Sequence, residues 1–169
     1  MRELISWLKR QNPAMHIVWD PVLKATAGYE FHAQPDAALL QAICRELVLI
    51  TPNRPEALRL TPAASAEAAA EALAAWCPVL LKGGHDTAAL ATDLLLVGSE
   101  RREFSTPRLP HGEKHGSGCV LSAAVLARLA LGDDLATACQ SGKAYTAAFL
   151  GSNDTLLGYH YEIKKHDYQ

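Results

Sequence analysis

His115-Gly116-Ser117-Gly118-Cys119, followed by Val120-Leu121-Ser122-Ala123-Ala124-Val125-Leu126-Ala127-Arg128-Leu129-Ala130, is the stretch around which the chain is organised. Two glycines flank a serine, a cysteine closes the turn, and a run of good helix formers follows. Val120, Ala124, Ala127 and Leu131 fall on one helical face, with Leu121 and Val125 widening it. A glycine turn at a helix start leaves several backbone N–H groups pointing the same way, and the helix dipole adds to them, so the turn suits an anion. Cys119 falls in the first turn, where that field favours its thiolate. The same residues also suit a plain glycine turn before a core helix, with Cys119 as a small buried hydrophobe.

Working outward, short β-prone runs alternate with helical segments. Met1–Gln11 carries Leu4, Ile5 and Leu8 on one helical face and stops at Asn12-Pro13. His16-Ile17-Val18-Trp19 reads as a strand ending in Asp20-Pro21, Thr26-Ala27-Gly28-Tyr29 as loop, and Pro35 to Arg45 as a helix. Leu47-Val48-Leu49-Ile50 is a second buried strand, ending in Thr51-Pro52-Asn53, and Arg54-Pro55-Glu56-Ala57 opens the next helix. Ala63 to Trp76 is an alanine-rich helix, and Val79-Leu80-Leu81-Lys82 is a third strand that runs into Gly83-Gly84-His85-Asp86. Gly98-Ser99 sits between two β-prone runs as a hairpin turn. Leu135 to Leu150 is a last long helix, and Gly151–Gln169 reads as loop or arm. Strands alternating with helices argue a layered α/β sheet in one domain spanning 1–169.

The chain has 16 basic and 18 acidic side chains with no block of either sign, so nothing points to nucleic acid or an anionic membrane as partner. Its four cysteines make no CxxC pair, and no long apolar span is present. Reduced thiols and a cytoplasmic location are the expectation, and no zinc-ligand spacing occurs.

Three strands end in chemistry: Asp20; Asn53 with Glu56; Lys82 with Gly83. A parallel sheet gathers such ends at its carboxyl edge, where ligands bind. Two carboxylates and an asparagine beside an anion-binding turn suit Mg²⁺-phosphate chemistry, because Mg²⁺ takes oxygen ligands and bridges phosphate oxygens. A strand-end lysine before two glycines can reach a phosphate. Each residue also has a plainer reading. Asp20 and Asn53 suit caps, Glu56 suits a solvated first-turn acid, and Lys82 suits a surface cation.

Asp20-Pro21-Val22, Thr51-Pro52-Asn53-Arg54-Pro55-Glu56-Ala57, Leu81-Lys82-Gly83-Gly84-His85 and His115-Gly116-Ser117-Gly118-Cys119 resemble, in order and spacing, the ribokinase-like superfamily. Within it they resemble most the hydroxymethylpyrimidine/phosphomethylpyrimidine kinases of thiamine biosynthesis. The resemblance runs from about His16 to Leu150, and Ser152 to His160 is similar to the ending of some bacterial members. It implies a three-layer α/β/α sandwich, ribokinase-like, and ATP-dependent phosphoryl transfer to a small-molecule pyrimidine alcohol or phosphate. It further implies that Gly116, Ser117, Gly118 and Cys119 are the anion hole, with Cys119 where most relatives place an aspartate base. Asn53 and Glu56, with Asp20, would organise Mg²⁺; Lys82, Gly83 and Lys143 would contact the nucleotide. Against the family pattern, the chain lacks the opening βα segment that holds the pyrimidine, so the fold is expected to be incomplete at its N-terminus. Its Ile17-Val18-Trp19 edge should then pair with a second copy, giving a homodimer, or leave the chain poorly soluble.

Competing readings are a pyridoxal-type kinase, a non-catalytic nucleotide-binding remnant, and a cysteine acyl transferase using His111 or His115 as base. The last explains neither the Lys82-Gly83-Gly84 block nor Asn53 with Glu56.

Overall fold

The parallel strands are very short, two or three residues each. The computed structural model describes residues 1–23, 36–84, 89–109 and 114–160. Its elements run α1 (Arg2–Gln11), β1 (Val18–Trp19), α2 (Ala37–Cys44), β2 (Leu49–Ile50), α3 (Arg54–Leu60), α4 (Ala66–Ala74), β3 (Val79–Leu81), β4 (Leu90–Val97), β5 (Glu100–Pro107), α5 (Ser117–Ala130) and α6 (Leu135–Leu150). The sheet order is β1-β2-β3-β4-β5. The first three strands are parallel, with Val18 opposite Leu49 and Ile50 opposite Val79; β3–β4 and β4–β5 are antiparallel.

Side-chain alternation along the strands builds two cores. Ile50, Val79, Leu81 and Leu96 face a cluster with Ile5, Leu40, Ala57 and Leu73 from α1 to α4. Leu49, Leu80 and Leu95 face Leu121, Val125, Leu129 and Ala138 from α5 and α6. The result is the α/β/α sandwich expected from the sequence.

Two expectations change in detail. The buried stripe of α5 is Leu121, Ser122, Val125 and Leu129, and Leu131, expected in the core, is 76% exposed. The stripe follows the i, i+4, i+8 row that meets the sheet, not the more uniformly apolar row beside it. On α1, Ile5 is buried while Leu4 points to solvent. Helix α4 is shorter than expected because Ser65 Oγ accepts from Ala68 N at 3.1 Å, starting the helix there. The hairpin expected at Gly98-Ser99 turns at Gly98, φ +58°, between arms of eight residues each. Thr26–Tyr29, Pro35, His85, Asp86 and His111 lie outside the described residues.

The segment 151–160 is not a free arm. Tyr145 OH lies 3.0 Å from His160 Nδ1, and His115 N donates to Leu156 O at 3.0 Å.

Candidate active site

β1, β2 and β3 run side by side and deliver Asp20, Asn53 and Lys82 to one edge. An isolated parallel bridge joins Asn53 to Lys82, and Lys82 N donates to Pro52 O at 2.9 Å. Lys82 Nζ lies 2.6 Å from Asp20 Oδ1 and 3.8 Å from Glu56 Oε2. All three side chains are near 12% exposed, so Lys82 is no surface cation.

Asn53 is a cap, as the plainer reading had it. Its Oδ1 accepts from Glu56 N at 2.8 Å, and Glu56 Oε2 accepts from Asn53 N at 2.7 Å, a reciprocal capping box. The box has a second effect: it turns the Glu56 carboxylate toward Lys82. Asn53 thus organises the carboxylate, and its own side-chain oxygen is engaged by the helix.

Helix α5 begins above this cluster. Gly116 is its N-cap at φ +77°, in the left-handed region, and no side chain caps the end. The first intrahelical bond is Val120 N to Gly116 O at 2.9 Å, so the amides of Ser117, Gly118 and Cys119 precede it. A Cβ on Gly118 would lie 3.1 Å from Lys82 Nζ and 3.7 Å from Asp20 Oδ2. Glycine there lets the ammonium lie against the first turn. Buried Thr51 and Ser122 pin α5 to β2: Thr51 Oγ1 and Ser122 Oγ are 2.8 Å apart, and Ser122 Oγ donates to Gly118 O at 3.0 Å. Thr51 Oγ1 also lies 3.3 Å from Asp20 Oδ1.

Cys119 is the exposed one among four free cysteines. The expectation of a thiolate is corrected. Burial pushes the thiol up, and the Asp20 carboxylate adds to this by its charge and by accepting from the thiol. Lys82 pulls the other way without prevailing. A groove of about 290 Å³ opens beside Asp20 and Cys119, walled by Val18, Val22, Ala123 and Leu126.

Lys143 is tied to the strand-end region through a residue that sequence reasoning missed. Its Nζ lies 2.9 Å from Asp93 Oδ2, and Gly83 N donates to Asp93 Oδ1 at 2.9 Å. Asp93, 2% exposed, joins the two lysine-bearing segments. The available signal was a charge heading the otherwise apolar run Asp93-Leu94-Leu95-Leu96-Val97. Gly83 is required: a Cβ there would meet Thr92 O at 1.8 Å.

The donor set centres on the Lys82 ammonium, on which Asp20 and Glu56 both converge, so a magnesium ion would have to arrive on phosphate oxygens and meet these carboxylates through water. It does not form an all-protein cage: among the described residues no three His, Cys, Asp or Glu side chains converge.

An α/β/α sandwich on a mixed five-stranded sheet, with an acid–lysine cluster beneath a glycine turn, is the ribokinase-like fold. The sequence model of the phosphomethylpyrimidine kinase family matches residues 1–164, and the chain belongs to that family. It is 38% identical over 149 residues to the hydroxymethylpyrimidine/phosphomethylpyrimidine kinase of Rhizobium meliloti, covering 82% of this chain and 56% of that protein. A second relative is the bifunctional thiamine biosynthesis protein ThiED of Geobacter sulfurreducens, 36% identical over 140 residues, covering 78% of this chain and 29% of that protein. The chain thus spans about half the length of the single-function relative. Among solved structures, the phosphomethylpyrimidine kinase of Clostridium difficile superposes with TM-score 0.66 at 25% identity, covering 87% of this chain and 64% of that one. The ADP complex of Bacillus subtilis pyridoxal kinase superposes with TM-score 0.75, covering 90% and 62%; at 24% identity it speaks for the fold alone.

Proposed function

We propose that this chain carries the nucleotide and phosphoryl-transfer part of an ATP-dependent kinase acting on hydroxymethylpyrimidine or its monophosphate in thiamine biosynthesis. The observation that carries the reading is Lys82 Nζ, paired with Asp20 and lying against Gly118 at the uncapped start of α5. The Ser117, Gly118 and Cys119 amides face the transferred phosphoryl group and stabilise the charge that spreads over its oxygens. Lys82 donates to a phosphate oxygen from below the turn. Lys143 and Gly83, held to each other by Asp93, line the approach of the nucleotide phosphates. A magnesium ion, when bound, would supply charge neutralisation between phosphate oxygens, held by Asp20 and Glu56 through water. The acceptor hydroxyl approaches at the mouth of the groove, and its proton passes to the Cys119 sulfur as the thiol's own proton passes to the Asp20 carboxylate.

Thermal unfolding with Mg·ADP tests the reading. At about a hundredfold over the dissociation constant, binding adds about 2.7 kcal/mol of stability, which raises Tm by roughly 5–10 °C for a domain of this size. Lys82→Ala should abolish most of that rise. An unchanged midpoint in millimolar Mg·ADP defeats the proposal. In a parallel assay with ATP and hydroxymethylpyrimidine or pyridoxal, the 169 residues alone should bind nucleotide without measurable turnover, because the open groove leaves the acceptor unpositioned. Turnover of pyridoxal in preference to the pyrimidine overturns the assigned substrate.

A further inference from the structure

Lys114 lies outside the cluster described above, and the phosphoryl-transfer reading makes no use of it. The residue is 7% exposed. Its ammonium donates three hydrogen bonds, all to neutral oxygens of one short segment: Asn153 O at 2.7 Å, Asn153 Oδ1 at 3.0 Å and Thr155 O at 2.6 Å. That uses every donor an ammonium has. The cage is itself braced. Asn153 Oδ1 also accepts from Thr155 N and Thr155 Oγ1, each at 2.8 Å, and Asn153 Nδ2 donates to Leu157 O at 2.9 Å. The stem is enclosed too, since a Cβ on Gly158 would lie 2.8 Å from Lys114 Cδ.

Burying an ammonium is costly, and an apolar side chain would cover the same surface with less penalty. What the ammonium adds is direction: it draws three oxygens to one point and fixes the backbone that carries it. That backbone leads straight into the anion turn, with His115 N held by Leu156 O at 3.0 Å and Gly116 next in line.

We propose that Lys114 is a positioning residue, whose ammonium clasps the Asn153–Thr155 segment and so holds the Gly116–Cys119 turn in place before any ligand arrives. Its importance for catalysis rests on the phosphoryl-transfer reading, because amides that are already aligned need no reorganisation when charge develops. The geometry itself does not depend on that reading.

Amide hydrogen exchange of the full chain without nucleotide tests the clasp. The amide to read is Val120, which closes the first turn onto Gly116 O. Lys114→Ala should speed its exchange about ten-fold or more, while Leu80 and Leu95 amides stay within about two-fold. Ammonium chloride at about 100 mM should restore slow exchange in Lys114→Ala by refilling the oxygen cage, as the ion has the same donors. Tetramethylammonium chloride, which has none, should not. Unchanged Val120 exchange, acceleration spread evenly through the sheet, or equal effects of the two salts overturns the proposal. Should Lys114→Ala fail to fold, Asn153→Ala decides it: a local acceleration of about three-fold or more at Val120 is expected, and its absence overturns the clasp. Because nucleotide is absent throughout, this outcome is separate from that of the Mg·ADP shift.

Discussion

Two helices start at the edge where the parallel strands end, and they start in opposite ways. Helix α3 is closed by its own sequence: Asn53 and Glu56 each accept from the other's backbone amide. Helix α5 is left open, with a glycine in the left-handed region and no side chain over its first amides. The other helices with polar caps, α2 at Asp36, α4 at Ser65 and α6 at Asp134, follow α3. A capped end spends its donors on stability, whereas the open end above Lys82 leaves its first amides without a side-chain acceptor. The contrast teaches where substitutions should register as rate and where as fold.

The largest expected effect lies at the open end. In a form of the enzyme that turns over its acceptor, Cys119→Ala should lower kcat by a factor of about 10² or more, on the scale of a lost proton-transfer group. Nucleotide affinity and Tm should stay nearly unchanged, which steady-state kinetics and thermal unfolding check together. Turnover within a few-fold of the parent would make Cys119 a spectator and erase the contrast.

At the closed end, Asn53→Ala should act the other way. Loss of the cap costs about 1 kcal/mol of stability, read as a Tm lower by roughly 2–4 °C. Mg·ADP affinity should weaken by only a few-fold, through a less well held Glu56. A larger loss of affinity than of stability would move Asn53 from cap to ligand.

The smallest effect concerns the thiol. Because Asp20 holds the Cys119 proton on and Lys82 favours its loss, the two neighbours should shift alkylation in opposite senses. Asp20→Asn lowers the thiol's pKa, so more thiolate is present at pH 7.5 and iodoacetamide should react faster; Lys82→Met raises it and should slow the reaction. Cys119 is the exposed cysteine, and the other three are buried, so mass spectrometry can follow one site. Rates that move together would remove Asp20 from the thiol's environment.

These opposed signs mark the boundary of what the sequence made legible. The strand ends were readable because Asp20, Asn53 and Lys82 each follow a short apolar run, and a parallel sheet has one way to align such ends. Helix α6 was readable to the residue, from Leu135 to Leu150. What sequence could not give was competition between neighbours. A helix start favours a thiolate, yet burial, joined by the carboxylate of Asp20, distant in sequence, outweighs it. Asp93 and Lys114 escaped notice for the same reason. Their partners, Lys143 with Gly83 in one case and Asn153 with Thr155 in the other, are brought close only by the fold. The buried row of α5 was misjudged because alanine-rich helices present nearly equivalent faces, and contact with the sheet chooses between them.

Gly142 on α6 gives the open helix end a mechanical dependence. A Cβ there would meet Val125 Cγ2 at 2.6 Å, so α5 rests directly on the bare backbone of α6 at that point. Val125 lies eight residues beyond Ser117, about 12 Å along the axis at the helical rise. The contact is therefore a fulcrum and the first half of α5 a lever arm. A methyl group wedged under the fulcrum would have to displace Val125 and strain the helix that carries it, so a change on the far helix would be felt at a glycine turn it never touches.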